Sequence, residues 1–258
     1  MAKVRLDKAL VERGLVPSRE RAASLILAGR VLVDEQKQTK AGFAMAEDAA
    51  IRILGEDMPY VSRGGLKLRG ALDHWKIDLA GRLCVDIGAS TGGFTDCMLQ
   101  AGAVGVLAVD TGYGQLAMSL RMDARVKLLE RTNARLLEPG ALLSEAGALS
   151  ADVAPSFFSM DVSFISASLV IAAVVAALTK PESKWAGECV VLVKPQFEAG
   201  REWVGKGGIV RDPEAYRIAT ERVKEAIRVA GGETMEVIDS PITGMEGNRE
   251  FLLYARFA

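Results

Sequence analysis

Histidine is nearly missing from this 258-residue chain: His74 stands alone, and only three cysteines accompany it. Cys84, Cys97 and Cys189 lie in separate apolar segments without ligand spacing, so no metal centre is expected and reduced, buried thiols are. His74, beside Trp75 at the end of an amphipathic segment, reads as structural. A bilayer-length apolar run is missing too. The longest, Phe164 to Leu178, falls short of the roughly 20 residues a span needs and carries Ser166 and Ser168, so it reads as a buried helix. With Arg5 and Asp7 close behind Met1, the N-terminus lacks the apolar core of a signal peptide. No repeat or low-complexity tract is present. Nor does one charge dominate: the formal net charge is −1, with half the residues hydrophobic and a quarter charged. That balance is ordinary for a globular protein, and whole-chain charge gives no sign of nucleic-acid binding.

The distribution of charge says more. Through Lys40 the chain carries nine Lys or Arg against five acids, so its front end is basic. The length suits one large and one small domain. Residues 4 to 13 read as a helix closed by Gly14. Ser18 caps a second helix, ended by Gly29, with Ala22, Leu25 and Ile26 on its apolar face. Val31-Leu32-Val33 and Ile51-Arg52-Ile53-Leu54 read as strands around a polar connection. Arg5-Leu6-Asp7, Ser18-Arg19 and Ala28-Gly29-Arg30-Val31-Leu32-Val33 together resemble the RNA-binding domain named after ribosomal protein S-four. On that resemblance Arg5, Arg19, Arg21 and Arg30 are the residues expected to meet RNA phosphates.

The larger part of the chain is organised around Cys84-Val85-Asp86-Ile87-Gly88-Ala89-Ser90-Thr91-Gly92-Gly93-Phe94-Thr95. A buried strand from Leu83 to Ile87 runs into a glycine turn that can approach a ligand closely, and a helix follows. A second apolar run, Val104 to Val109, ends in Asp110, where a carboxylate would meet a ribose diol. Further strand signals at 126–129, 157–160 and 189–193 alternate with helix signals at 91–101, 113–122, 139–146 and 165–178. Such alternation predicts a parallel sheet covered on both faces. A helix over 212–230 and two strands, 234–238 and 251–257, close the edge. The expected division is an RNA-binding domain over 1–55, a linker over 56–61 and a catalytic-type domain over 62–258.

A dinucleotide dehydrogenase would share the glycine turn and the distal acid. Asp86, however, would repel a pyrophosphate and favour a cationic sulfonium, which points to S-adenosylmethionine. Met160-Asp161-Val162-Ser163 follows the fourth strand where amino-group methyltransferases show Asn-Pro-Pro-Tyr, and no cysteine stands where a pyrimidine-attacking nucleophile belongs. A hydroxyl acceptor remains. Lys67 on the helix before the sheet, Asp161 and Lys194 at strand ends, and Glu250 at the start of the last strand can converge if that strand is antiparallel. Read singly, Lys67 and Glu250 are surface charges and Asp161 a helix cap.

An ordered set of segments resembles the TlyA family of ribosomal RNA 2′-O-methyltransferases, historically called hemolysins, within the FtsJ-like methyltransferases. The set comprises Val61-Ser62-Arg63-Gly64-Gly65-Leu66-Lys67-Leu68, the glycine turn, Asp110-Thr111-Gly112-Tyr113-Gly114-Gln115-Leu116, Glu130-Arg131-Thr132-Asn133, Asp161-Val162-Ser163-Phe164, Val193-Lys194-Pro195-Gln196-Phe197-Glu198 and Gly247-Asn248-Arg249-Glu250. The resemblance implies an α/β, Rossmann-like, doubly wound methyltransferase sheet with an antiparallel last strand, preceded by a small α+β RNA-binding domain. It implies Lys67, Asp161, Lys194 and Glu250 as the catalytic tetrad. Cofactor binding would fall to Asp86, Gly88, Ser90, Thr91, Gly92, Gly93 and Phe94, with Asp110 at the ribose and Thr132 or Asn133 at the adenine. Arg63 and Lys206 join the expected RNA contacts, the latter on the glycine-rich loop 195–212, expected to touch RNA or close over the site. Ribosomal RNA is the expected partner, the cytoplasm the expected location, and neither a metal nor stable membrane insertion is expected. The end at Ala258, without the extension some members carry, leads to the expectation of large-subunit RNA alone. Two alternatives stand beside this reading: a membrane-active hemolysin and a catalytically inactive RNA-binding protein.

Overall fold

The computed structural model describes residues 3–54, 58–150, 152–244 and 246–258, and the elements below are those of the described residues. The chain divides into two compact units, Met1–Asp57 and Met58–Ala258. Of the expected linker, Glu56 and Asp57 lie outside the described residues, as does Gly55 before them. Its other end is packed: Tyr60 is buried, and the Val61 amide donates to the Asp96 carboxylate at 2.8 Å.

In the first unit come β1 (Lys3–Arg5), α1 (Leu6–Glu12), α2 (Arg19–Leu27), β2 (Val31–Val33), β3 (Gln36–Gln38), β4 (Ala44–Ala46) and β5 (Ile51–Ile53). Ser18 caps α2 by accepting the Arg21 amide, which satisfies one of the orphan donors of the first turn. The helix expected over 4–13 is shorter. Val4 and Arg5 instead pair antiparallel with Met45 and Ala44, because a distant strand offers their backbone a ladder that local periodicity cannot register. The polar connection likewise contains strands. Asp34 and Glu35 both take positive φ, the two-residue turn that matches strand twist, and so β3 folds back on β2. Leu6, Leu10, Ala22, Leu25, Ile26, Val31 and Met45 form the buried core of this unit.

The second unit runs α3 (Gly64–Trp75), β6 (Leu83–Ile87), α4 (Gly93–Gln100), β7 (Gly105–Val109), α5 (Met118–Arg121), β8 (Val126–Leu129), α6 (Ala141–Ala146), β9 (Pro155–Met160), α7 (Ile171–Ala177), β10 (Gly187–Val193), α8 (Pro195–Glu198), α9 (Pro213–Val229), β11 (Gly232–Asp239) and β12 (Phe251–Phe257). One sheet has the order β11-β12-β10-β9-β6-β7-β8. Strands β6 to β10 are mutually parallel, while β12 is antiparallel to both β10 and β11. The expected doubly wound sheet with an antiparallel last strand is the observed one. Alternation sorts its two cores. Leu83, Val85 and Ile87 pack with α6, α7 and α9, whereas Cys84 joins Val106, Ala108 and Phe157 under α3 and α4.

Two expected helices are cut short. Residues 113–117 do not join α5, because the Gly112 amide is drawn to Asp110 and the Gly114 amide to Glu130, at 2.6 Å each. Between 165 and 170 the chain makes a 3₁₀ turn before α7 begins. The 195–212 segment is more ordered than a plain crossover, with α8, two 3₁₀ turns and a buried Val210. No helix among the described residues is long and apolar enough to cross a membrane.

All three cysteines are free and buried. Burial pushes the Cys84 and Cys97 thiols up to about 12 and the Cys189 thiol higher still, so almost no thiolate exists near neutrality. Native protein at pH 8 should leave a disulfide-exchange chromophore unreacted while urea-unfolded protein releases three equivalents. Rapid release of even one equivalent from native protein would place that thiol outside the core.

Candidate active site

The chain leaves β6 for β7 and β8 on one side and later fills β9 and β10 on the other, so the β6/β9 boundary is a switch point. Ligands of such sheets bind in the crevice beyond the strand ends there. Gly88 leaves β6 at that boundary with positive φ, and a Cβ on it would sit 2.4 Å from the Asp161 carbonyl oxygen. Only glycine fits there. Two cavities adjoin at this point. One, about 490 Å³, is lined by Gly88, Ser90, Asp110, Thr132 and Asn133. The other, about 760 Å³, is lined by Arg63, Lys67, Thr91, Gly93, Phe94, Lys194 and Glu250. They share Gly88, Ser90, Asp161, Ser163 and Phe164, which form a common wall.

Four charged side chains meet in the larger cavity. Lys67 Nζ donates to Glu250 Oε2 at 2.6 Å, both groups being buried. Because β12 runs antiparallel to β10, its first residue lies opposite Val193. This register brings Glu250 to the edge where Asp161 and Lys194 emerge. Lys194 Nζ lies 2.6 Å from Asp161 Oδ1 and donates to Ser163 Oγ at 2.7 Å. The first approach lacks hydrogen-bond geometry, leaving Asp161 Oδ1 buried without a hydrogen-bond partner. That oxygen is therefore held by charge and keeps acceptor capacity.

Asp110 serves two loops at once: Oδ2 accepts the Ser90 amide at 2.7 Å and Oδ1 the Gly112 amide. Thr132 Oγ1 donates to the Glu130 carbonyl and Asn133 Oδ1 accepts the Arg135 amide, so both are oriented by their own turn. The structure does not bring Asp86 to either cavity. Its carboxylate is sealed under α4, accepting from Thr95 Oγ1 at 2.6 Å and Ser159 Oγ at 3.2 Å. Although Asp86 is the penultimate residue of β6, strand alternation turns it to the Cys84 face, under α4 rather than over the strand end. Gly92, also outside both linings, closes the turn by donating to the Ala89 carbonyl at 2.7 Å.

Arg63 lines the larger cavity and donates to the Thr243 carbonyl. Lys206 is exposed on a 3₁₀ turn and does not line it. In the first unit Arg5 and Arg19 converge on Asp7, at 3.0 and 2.7 Å, and hold its carboxyl well below the usual range. Arg30 is tethered to the Leu54 carbonyl at 2.8 Å, and Arg21 donates its backbone amide to Ser18. Sequence reasoning missed three contributors. Ser163 pins Lys194, Phe164 projects 94% exposed with φ +64°, and Asn248 is buried in the larger cavity's wall. A phenylalanine in the polar stretch just after a strand was the one available signal.

This sheet order, with a glycine cradle at the switch point and an acid ending the second strand, is the architecture of S-adenosylmethionine-dependent methyltransferases. Residues 60–257 match the FtsJ-like methyltransferase family and residues 4–48 the S4 domain. The 16S/23S rRNA (cytidine-2′-O)-methyltransferase TlyA of Mycobacterium tuberculosis is 43% identical over 255 residues, covering 98% of this chain and 90% of that protein. Hemolysin A of Brachyspira hyodysenteriae is 38% identical over 252 residues, 97% of this chain and 99% of that one. A solved structure from Streptococcus thermophilus, bearing a hemolysin designation, has a TM-score of 0.71 at 40% identity, covering 100% of this chain and 90% of that one. The present chain thus belongs to the FtsJ-like methyltransferase family, in its TlyA group.

Burial pushes the Asp86 carboxyl up to about 7 from its ordinary 3.8, against the pull of the Thr95 and Ser159 hydroxyls. Because the folded state binds this proton more tightly than the unfolded one, its stabilising contribution is full below pH 4. It is lost as pH rises toward 7. Asp86→Asn, whose partners are hydroxyls that can rotate, should therefore flatten the decline in urea stability between pH 5 and pH 8, by up to a few kcal/mol. Parallel pH profiles for the two proteins would show that Asp86 does not titrate in that window.

Proposed function

We propose that the protein transfers a methyl group from S-adenosylmethionine to a ribose 2′-hydroxyl of ribosomal RNA, acting on the large subunit in the cytoplasm. The observation that carries this reading is the convergence of Lys67, Asp161, Lys194 and Glu250 in one cavity that shares a wall with the glycine cradle. The smaller cavity fits the cofactor: a turn that excludes a Cβ, a carboxylate at the end of β7, and Thr132 and Asn133 at its far side. When bound there, S-adenosylmethionine supplies an electrophilic methyl carbon. Gly88 and Ser90 would hold its methionine part, Asp110 its ribose, and Thr132 or Asn133 its adenine.

Lys194 is the group placed to take or polarise the hydroxyl proton, since Asp161 and Ser163 fix its Nζ at the shared wall. Asp161, 2.6 Å from the Lys194 ammonium, would set that group's charge and orientation. Lys67 and Glu250 neutralise each other in the buried half of the cavity, which keeps a rigid dipole beside the ribose without a net charge. Phe164 offers an open ring face on which the nucleobase can stack. The hydroxyl oxygen must approach the methyl carbon to about 3–3.5 Å, in line with the carbon–sulfur bond that breaks, so RNA contacts matter as much as the base. In the first unit the Asp7-braced pair Arg5 and Arg19, with Arg21 and Arg30, would meet phosphates.

Other acceptors fit less well. The buried, high-pKa thiols include no nucleophile for carbon methylation. A membrane-active reading leaves the cradle and the buried charge pairs without a purpose, and an inactive RNA binder would have no need of the paired lysines. The similarity to the mycobacterial 16S/23S rRNA (cytidine-2′-O)-methyltransferase supports the substrate class. Purified protein and Lys194→Ala would be incubated with labelled S-adenosylmethionine and unmodified ribosomal subunits. Wild type should place 2′-O-methyl groups in large-subunit RNA, and the variant should lose at least about 100-fold in rate while binding the cofactor as before. No label in either subunit, with cofactor binding intact, overturns the reading; label in both removes the restriction to the large subunit.

A further inference from the structure

Asn248 stands two residues before Glu250 and is 1% exposed. Its side chain makes a two-point contact with another segment. Nδ2 donates to the Gly208 carbonyl at 2.9 Å and Oδ1 accepts the Val210 amide at 3.0 Å. Its own carbonyl accepts the Gly244 amide at 2.9 Å. One residue thus joins the stretch around 205–210 to the stretch around 244–250, and Gly208, Gly244, Asn248 and Glu250 all line the larger cavity. None of them lines the smaller one.

The stretch so held is poor in restraints of its own. Gly205, Gly207 and Gly208 surround Lys206, two of them with positive φ, and glycine-rich chain loses the most freedom on ordering. Its backbone bonds from Gly208 to Gly205 and from Gly205 to Ile209 close the turn on itself. Tyr216 Oη anchors the far end at the Val210 carbonyl. Asparagine suits the join because one planar amide offers a donor and an acceptor side by side, to a carbonyl and an amide two residues apart. Aspartate would keep the Val210 bond but turn a negative oxygen on the Gly208 carbonyl. Alanine would leave both partners buried and unmatched.

We propose that Asn248 is a positioning residue for the acceptor RNA: by latching the 205–210 glycine turn to the segment that bears Glu250 just before β12, it makes that turn a fixed wall of the acceptor cavity and holds Lys206 toward the RNA backbone. This inference rests on the methyltransferase reading above. Its distinguishing consequence is a separation of effects, because the latched wall belongs to the acceptor side alone.

The test uses full-length protein, Asn248→Ala and the shape-conserving Asn248→Asp, with labelled S-adenosylmethionine and large ribosomal subunits, plus cofactor titration and amide exchange of residues 204–210. Asn248→Ala should raise KM for the subunit at least about tenfold, the size expected when a positioning contact is lost. Cofactor Kd should stay within twofold, and the Val210 amide should pass from slow to fast exchange. Asn248→Asp, which keeps the Val210 bond, should fall between, and it serves alone if the alanine variant does not fold. Lys206→Glu should raise KM without changing exchange at Val210. Wild type that transfers no label sinks the reaction itself. An active wild type whose Asn248 variants keep subunit KM and kcat, or lose cofactor affinity in parallel, sinks the latch and leaves the reaction standing.

Discussion

The ion pair between Lys67 and Glu250, 183 residues apart in the chain and 2.6 Å apart in space, is the contact on which the larger unit turns. Removing two charges from water is costly and is repaid only by close pairing, while deleting one partner leaves a buried charge worth about 3–5 kcal/mol of destabilisation. The pair forms only if α3 lies against the sheet and β12 enters antiparallel to β10. An all-parallel sheet would bring Glu250 to the opposite edge. The strand order, the antiparallel insertion and the position of the site are therefore one decision.

From that decision follows a site with two compartments and one wall. The glycine turn after β6 clears space for a ligand, and Asp110 pins both that turn and the next loop. On the other side, paired charges supply fixed dipoles and a lysine with a hydroxyl neighbour. Asp161, Ser163 and Phe164 stand between the compartments because β9 is the neighbour of β6 across the switch point. The front unit uses the same physics: Asp7 is a buried carboxylate whose partners, Arg5 and Arg19, are braced with their side chains more than half exposed.

Much of this was legible in the residues. The strands from β6 to β10 are short apolar runs bounded by glycine, proline or acids, and a buried parallel strand has no other pattern to show. Lys67, Asp161 and Glu250 read singly as ordinary surface or capping residues; their places at element ends, and the resemblance to the TlyA family, are what set them beside Lys194. Strands β1, β3 and β4 were not legible. They are three residues long, and pairing with a distant partner, not local propensity, makes them strands. The truncated helices near 113–117 and 165–170 failed for a related reason. Asp110 and Glu130 take the Gly112 and Gly114 amides, and Glu198 takes the Ala167 amide at 2.5 Å.

The chain alone determined which chemical groups are available and at which ends of which elements they stand, since period and turn chemistry are local properties. It did not determine where those groups point. Asp86, read as a cofactor contact, faces α4 because side chains alternate across a strand and a helix seals that face. Asn248, read as part of a motif, became a clasp because two loops about 40 residues apart arrive at one edge. Such outcomes depend on register and on packing between segments remote in sequence, where a shift of one residue turns every side chain to the other face.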